Sequence, residues 1–132
     1  MLYERESAYP VDEVCDRLAH AAADHRFGVL GTHDLRQKMV DKGVAFAPAC
    51  KILEICNPHQ AKAVLEANPS ISTALPCRVA VFERAGKTIV ATLKPTAVLS
   101  LFGHPDLEPV ARDVETAVLR MIDTAAGSGA PA

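Results

Sequence analysis

The sequence predicts an α+β fold of two layers, ordered strand–helix–four strands–helix, with a mainly antiparallel curved sheet and a small helix inserted between the third and fourth strands. Three observations carry this. Apolar residues recur at helical spacing at two distant places, Val11 to Ala22 and Leu107 to Ile122. Short apolar runs of strand character fill much of the chain between them. Ala85-Gly86 separates two of those runs as a two-residue hairpin signal. No internal repeat and no long linker divides the chain, so residues 1–126 read as a single domain. The sequence Gly127-Ser128-Gly129-Ala130-Pro131-Ala132 reads as a disordered tail.

Leu2 to Ala8 alternates as a strand. Pro10 then opens a helix whose stripe is Val11, Val14, Leu18 and Ala22, ending near Arg26. Phe27 to Leu35 reads as the second strand, and the polar stretch through Gly43 as a turn or a short helix. The third strand is Lys51 to Cys56. Asn57-Pro58 starts a helix for a physical reason: the Asn side chain accepts from a free backbone N–H, and Pro at the first helical position lacks only a donor the helix does not use. That helix runs to about Ala67, with Ala61, Val64 and Leu65 on its buried face, and Asn68-Pro69 stops it. Cys77 to Arg84 and Lys87 to Lys94 flank the hairpin as antiparallel neighbours. Leu107, Val110, Val114, Val118, Met121 and Ile122 form the longest stripe, a C-terminal helix packed on the sheet.

With 132 residues and 49% hydrophobic residues, the chain can bury a core without disulfides or a structural metal. A formal charge of −2, no basic run and few aromatic rings argue against nucleic-acid binding, which wants clustered cations and stacking surfaces. Met1-Leu2-Tyr3-Glu4-Arg5-Glu6 carries charges where a signal peptide has an apolar core, and no apolar run spans a bilayer. A cytoplasmic protein without a membrane partner is therefore expected. In that reducing compartment the four cysteines are free thiols, ligands or catalytic groups rather than staples.

Two cysteine motifs mark the candidate site, Cys56-Asn57-Pro58 where the third strand meets a helix and Pro76-Cys77 at the entrance of the fourth strand. Two readings of Cys56 stay open: a thiol activated by the dipole of the following helix, or a small buried hydrophobe closing the strand. Cys77 is open in the same way. If the two strands are neighbours, both thiols share one end of the sheet, and Cys50 joins them if the even spacing to Cys56 keeps it on the same face. No spacing resembles a zinc knuckle, so no metal is assigned. His59, three residues after Cys56, is the histidine placed to pair with it, against the reading of a solvated first-turn residue. Cys15 reads as core, and His20 and His25 as surface. Lys51, Glu54, Arg78 and Lys94 interrupt apolar strands, which fits an exposed sheet face, the commoner case, or an inward pocket. No phosphate loop, nucleophile elbow or paired-His motif occurs.

Lys51-Ile52-Leu53-Glu54-Ile55-Cys56-Asn57-Pro58, Ala61, Leu65, Leu75-Pro76-Cys77-Arg78-Val79-Ala80-Val81 and Gly86-Lys87-Thr88 together resemble the family called domain of unknown function 302. The resemblance runs from the first strand to about Ala126. It implies a TATA-box-protein-like fold and a homodimer, and it implies neither DNA binding nor any catalytic residue. The resulting expectation is a homodimeric binding module for a small molecule, a sulfur species or a metal, with Cys56, Asn57, Cys77, His59 and Cys50 as candidate ligand-binding residues. The cofactor is unknown. The alternative is a thiol-dependent enzyme or redox protein using Cys56 with Cys77 or His59.

Overall fold

A computed structural model describes residues 1–127; of the tail assigned to disorder, residues 128–132 lie outside the described residues. Five antiparallel strands form one open sheet in the order β1-β5-β4-β3-β2, with β1 Leu2–Ser7, β2 Gly28–Asp34, β3 Cys50–Cys56, β4 Cys77–Arg84 and β5 Lys87–Leu93. Two long helices, α1 Val11–Asp24 and α5 Glu108–Ala126, lie on one face. This is the expected two-layer α+β arrangement.

The helical stripes meet the alternate residues of the central strands. Val14, Leu18, Val118, Met121 and Ile122 are fully buried against Leu53, Ile55, Val79, Val81 and Val90. On the order of 1.5–3 kcal/mol per large side chain removed from water is what drives the layers together. The opposite face carries Ile52, Ala80 and Phe82, only half-buried, among ion pairs such as Glu4 with Arg84 and Glu6 with Lys87. Asp123 of α5 ties the helix to the edge strand, accepting from Tyr3 Oη at 2.5 Å and from Arg5 Nε at 2.8 Å.

Local chemistry sets the joints. Ala85 and Gly86 both have positive φ, 52° and 77°, the pair of values a type I′ hairpin turn requires. The stretch left as a turn or short helix is a helix, α2 Leu35–Asp41, because Asp34 caps it by accepting from Gln37 N at 2.9 Å. Asn57 and Pro58 start α3 Pro58–Ala67 as expected; of its anticipated buried face, Val64 is buried and Ala61 and Leu65 are half-buried, and all three line a cavity. Three elements escape the sequence pattern: a 3-10 turn at Pro69–Ala74, the short helix α4 Pro95–Ser100, and a 3-10 turn at Pro105–Leu107 that leads into α5. Val64, Ile71, Leu99, Leu107 and Ala111 join these pieces into a second, smaller core beyond the end of the sheet.

Candidate functional site

Between the main core and this second core lies a cavity of about 590 Å³. It sits where β3 ends, β4 begins and β5 ends, so the strand ends themselves form its back wall. Ile55, Phe27 and Val114 supply apolar floor; Ala61, Val64 and Leu65 of α3 and Val98 and Leu99 of α4 supply the cover. Polar groups are few. Ser72, Thr73 and Arg78 are exposed and rim the opening, with Asn57 half-buried beside them. Gln60 also lines the wall, and its Oε1 is buried with no hydrogen-bond partner among the described residues.

Both cysteine motifs are in this wall. Cys56 ends β3 and Cys77 starts β4, opposite Ile55 in the ladder, and both thiols line the cavity. A cis peptide joins Leu75 to Pro76 just before Cys77, another lining pair. Burial pushes the Cys77 thiol up to about 11, with a smaller push from neighbouring Cys56. Burial raises Cys56 as well. The helix that was a candidate to activate Cys56 spends its first donors elsewhere: Asn57 Oδ1 accepts from His59 N at 3.1 Å and Gln60 N at 3.2 Å. Thiols whose pKa burial raises, set in a mostly apolar wall, offer soft, weakly polar contacts.

The remaining candidates fall outside the cavity. Cys50 pairs with Phe82 at the far end of β3, about 20 Å along the strand from Cys56 at ordinary strand rise, so the three thiols do not converge. Burial raises its pKa first, with Asp34 adding to it. His59 is exposed on α3 and is no part of the lining. Among the described residues no group of three or more His, Cys, Asp or Glu side chains could hold a metal ion. Cys15 is buried in the helix-side core, as expected.

Of the charged residues that interrupt the apolar strands, Lys51 and Glu54 have close partners. Lys51 reaches Asp12 at 2.7 Å. On the open face, Glu54 Oε1 lies 2.8 Å from His33 Nε2, and Lys38 Nζ lies 2.9 Å from His33 Nδ1. An ammonium can only donate, so Nδ1 accepts and Nε2 carries the proton towards Glu54. Arg78 Nε approaches the other Glu54 oxygen only to 3.7 Å.

Several lining residues carry no motif. Leu30 enters through a register irregularity between Val29 and Gly31 in β2, and the glycines flanking it, Gly28 and Gly31, were the signal for such a bulge. Val98 and Leu99 come from α4, whose first-position Pro95 was its only mark.

An open five-stranded antiparallel sheet, two long helices on one face and a mostly apolar cavity at the strand ends define a small α+β protein. The family profile described as domain of unknown function DUF302 matches residues 3–125, and the chain belongs to that family. The crystal structure of an uncharacterized conserved DUF302 protein from Bacillus stearothermophilus is similar to it, with 30% sequence identity, a TM-score of 0.90, and coverage of 94% of this chain and 97% of that one. No curated protein matches the chain. Among the described residues no helix is long and apolar enough to cross a membrane.

Proposed function

We propose that this protein is a binding module whose end-of-sheet cavity takes a small, largely apolar molecule against Cys56, Asn57 and Cys77. The cavity carries the proposal. Its volume of about 590 Å³ falls in the range of small-molecule sites, its walls are mostly apolar, and a few polar groups gather at the mouth. Of the occupants the sequence left open, a small molecule fits better than a metal, which would find two thiols and no third ligand of the usual kinds. A thiol-dependent reaction is disfavoured by the upward pKa shifts of both lining thiols.

The test is to fill the cavity. Ala61 is half-buried in its cover, and Ala61→Trp places an indole in the space a ligand would use. A panel of apolar fragments screened by ligand-observed NMR should bind the wild type and not the variant, with circular dichroism confirming that the variant is folded. Equal binding to both proteins would overturn the cavity as the site.

The proposal includes a homodimer. The half-exposed apolar strip of Ile52, Ala80 and Phe82 lies on the sheet face without the two long helices, and a second copy would cover it. Light scattering coupled to size exclusion checks this directly: a mass twice the 14.1 kDa chain is expected, and a monomer at all accessible concentrations would refute it.

A further inference from the structure

We infer that the cavity's ligand is an amphipathic carboxylate, an apolar body in the cavity with its anionic end at Arg78. The inference rests on the cavity being a binding site and adds the chemical class of what it binds. Among the described residues lining the cavity, Arg78 is the only charged one, and no acidic side chain is present. It stands where charge belongs, at the exposed mouth, while the floor residues Phe27, Ile55 and Val114 offer nothing to a polar group.

Arg78 is also underused by the protein. Its side chain makes no hydrogen bond among the described residues, and its only acidic neighbour, Glu54, stays 3.7 Å away with one oxygen already engaged by His33. A guanidinium offers five N–H groups in a planar fork that matches a carboxylate. The hydroxyl of Ser72, which also lines the cavity, supplies a further donor to an oxyanion, whereas that of Thr73 already donates to Ser70 O at 2.8 Å. A cationic ligand would instead meet Arg78's like charge, and an anionic group at the buried end would find no cation, only apolar floor and the amide of Gln60.

The experiment compares decanoate, 1-decanol and decylammonium, each below its aggregation concentration, binding to the full chain by calorimetry at neutral pH. Biphenyl-4-carboxylate beside decanoate tells whether the apolar body is aromatic or aliphatic; either one supports the carboxylate class. Decanoate is expected to bind about tenfold more tightly than decanol, an advantage typical of one charge-assisted hydrogen-bonded pair near the surface, and decylammonium more weakly than both. That advantage should shrink as salt is raised. In Arg78→Gln the decanoate-to-decanol ratio should fall to near one, and Arg78→Lys should restore only part of it, since a lysine lacks the fork. Decanol binding as tightly as decanoate in the wild type, or a preference that survives Arg78→Gln, would overturn the carboxylate assignment alone. Binding of none of the probes would instead overturn the cavity reading beneath it. The wild-type salt titration decides the matter independently of whether the variants fold.

Discussion

Cys77 should be the hardest of the cavity thiols to ionise, and the size of the effect follows from its burial. The perturbation is a rise in pH. In the folded chain the thiol is moved from an ordinary 9.0 to about 11, chiefly because its surroundings cannot solvate a thiolate and secondarily because Cys56 is adjacent. Two pK units leave about 100-fold less thiolate at any pH well below 9, and the thiolate is the nucleophile, so native alkylation should be on the order of 100-fold slower than for a free cysteine. The shift is also a stability statement. The folded state holds this proton more tightly than the unfolded state, so its stabilising contribution is fully present below pH 9.0 and is lost as pH rises through about 11. At full shift that is about 2–3 kcal/mol. Cys15 is raised to about 11 by its own burial and acts in the same window. Iodoacetamide labelling between pH 7 and 11, read residue by residue by mass spectrometry, measures the first effect. Urea midpoints at pH 8 and pH 10.5 for wild type, Cys77→Ala and Cys15→Ala measure the second, each variant losing part of the alkaline drop. Native labelling of Cys77 with a midpoint at or below 9 would refute the reasoning and restore a reactive thiol to the cavity.

Removing the cap in Asn57→Ala leaves the amides of His59 and Gln60 without their acceptor and should lower stability by about 1 kcal/mol in denaturant unfolding, with Asn57→Gly costing less. Ile71→Ala empties the fully buried centre of the second core and should destabilise by about 2–5 kcal/mol, weakening fragment binding as well because that core supports the cavity. Ala85→Asn relieves a residue held at φ 52° in the hairpin turn and should raise stability by about 0.5–1 kcal/mol, read as a higher urea midpoint. Asp123 loses its grip on β1 in acid: burial works upward, but the bonds from Arg5 and Tyr3 outweigh it and hold the carboxyl below its ordinary 3.8. Its contribution is present above that value and is lost as pH falls through the lowered one, so Asp123→Asn should flatten the acid limb of the stability curve measured by circular dichroism.

The long amphipathic helices and the hairpin were legible because each rests on a local period or a turn chemistry that survives folding. Val14, Leu18, Val118 and Met121 repeat at helical spacing, and Ala85-Gly86 is a turn whatever surrounds it. Asn57-Pro58 was legible for the same reason, as a cap satisfied within its own turn. The cover of the cavity was not. Thr96-Ala97-Val98-Leu99 contains β-branched and apolar residues that read equally as strand, and they become a short helix only because Pro95 starts it and Leu99 packs into the second core. Cys56 and Cys77 could be placed at neighbouring strand ends, but whether they were exposed depended on that unseen cover. His59 was attractive by sequence proximity alone, and helix geometry left it at the surface. Cys50 failed on distance: keeping a face over six strand residues also means travelling about 20 Å.

The central claim is that the space between α3, α4 and the strand ends is a binding site. The most direct measurement is a two-dimensional amide NMR titration of the full chain with decanoate. Saturable shifts confined to Cys56–Leu65, Ser72–Arg78 and the Thr92–Leu99 stretch, and absent in Ala61→Trp, are expected. Shifts that do not saturate, or that cluster on the open sheet face around Ile52 and Ala80, would contradict it.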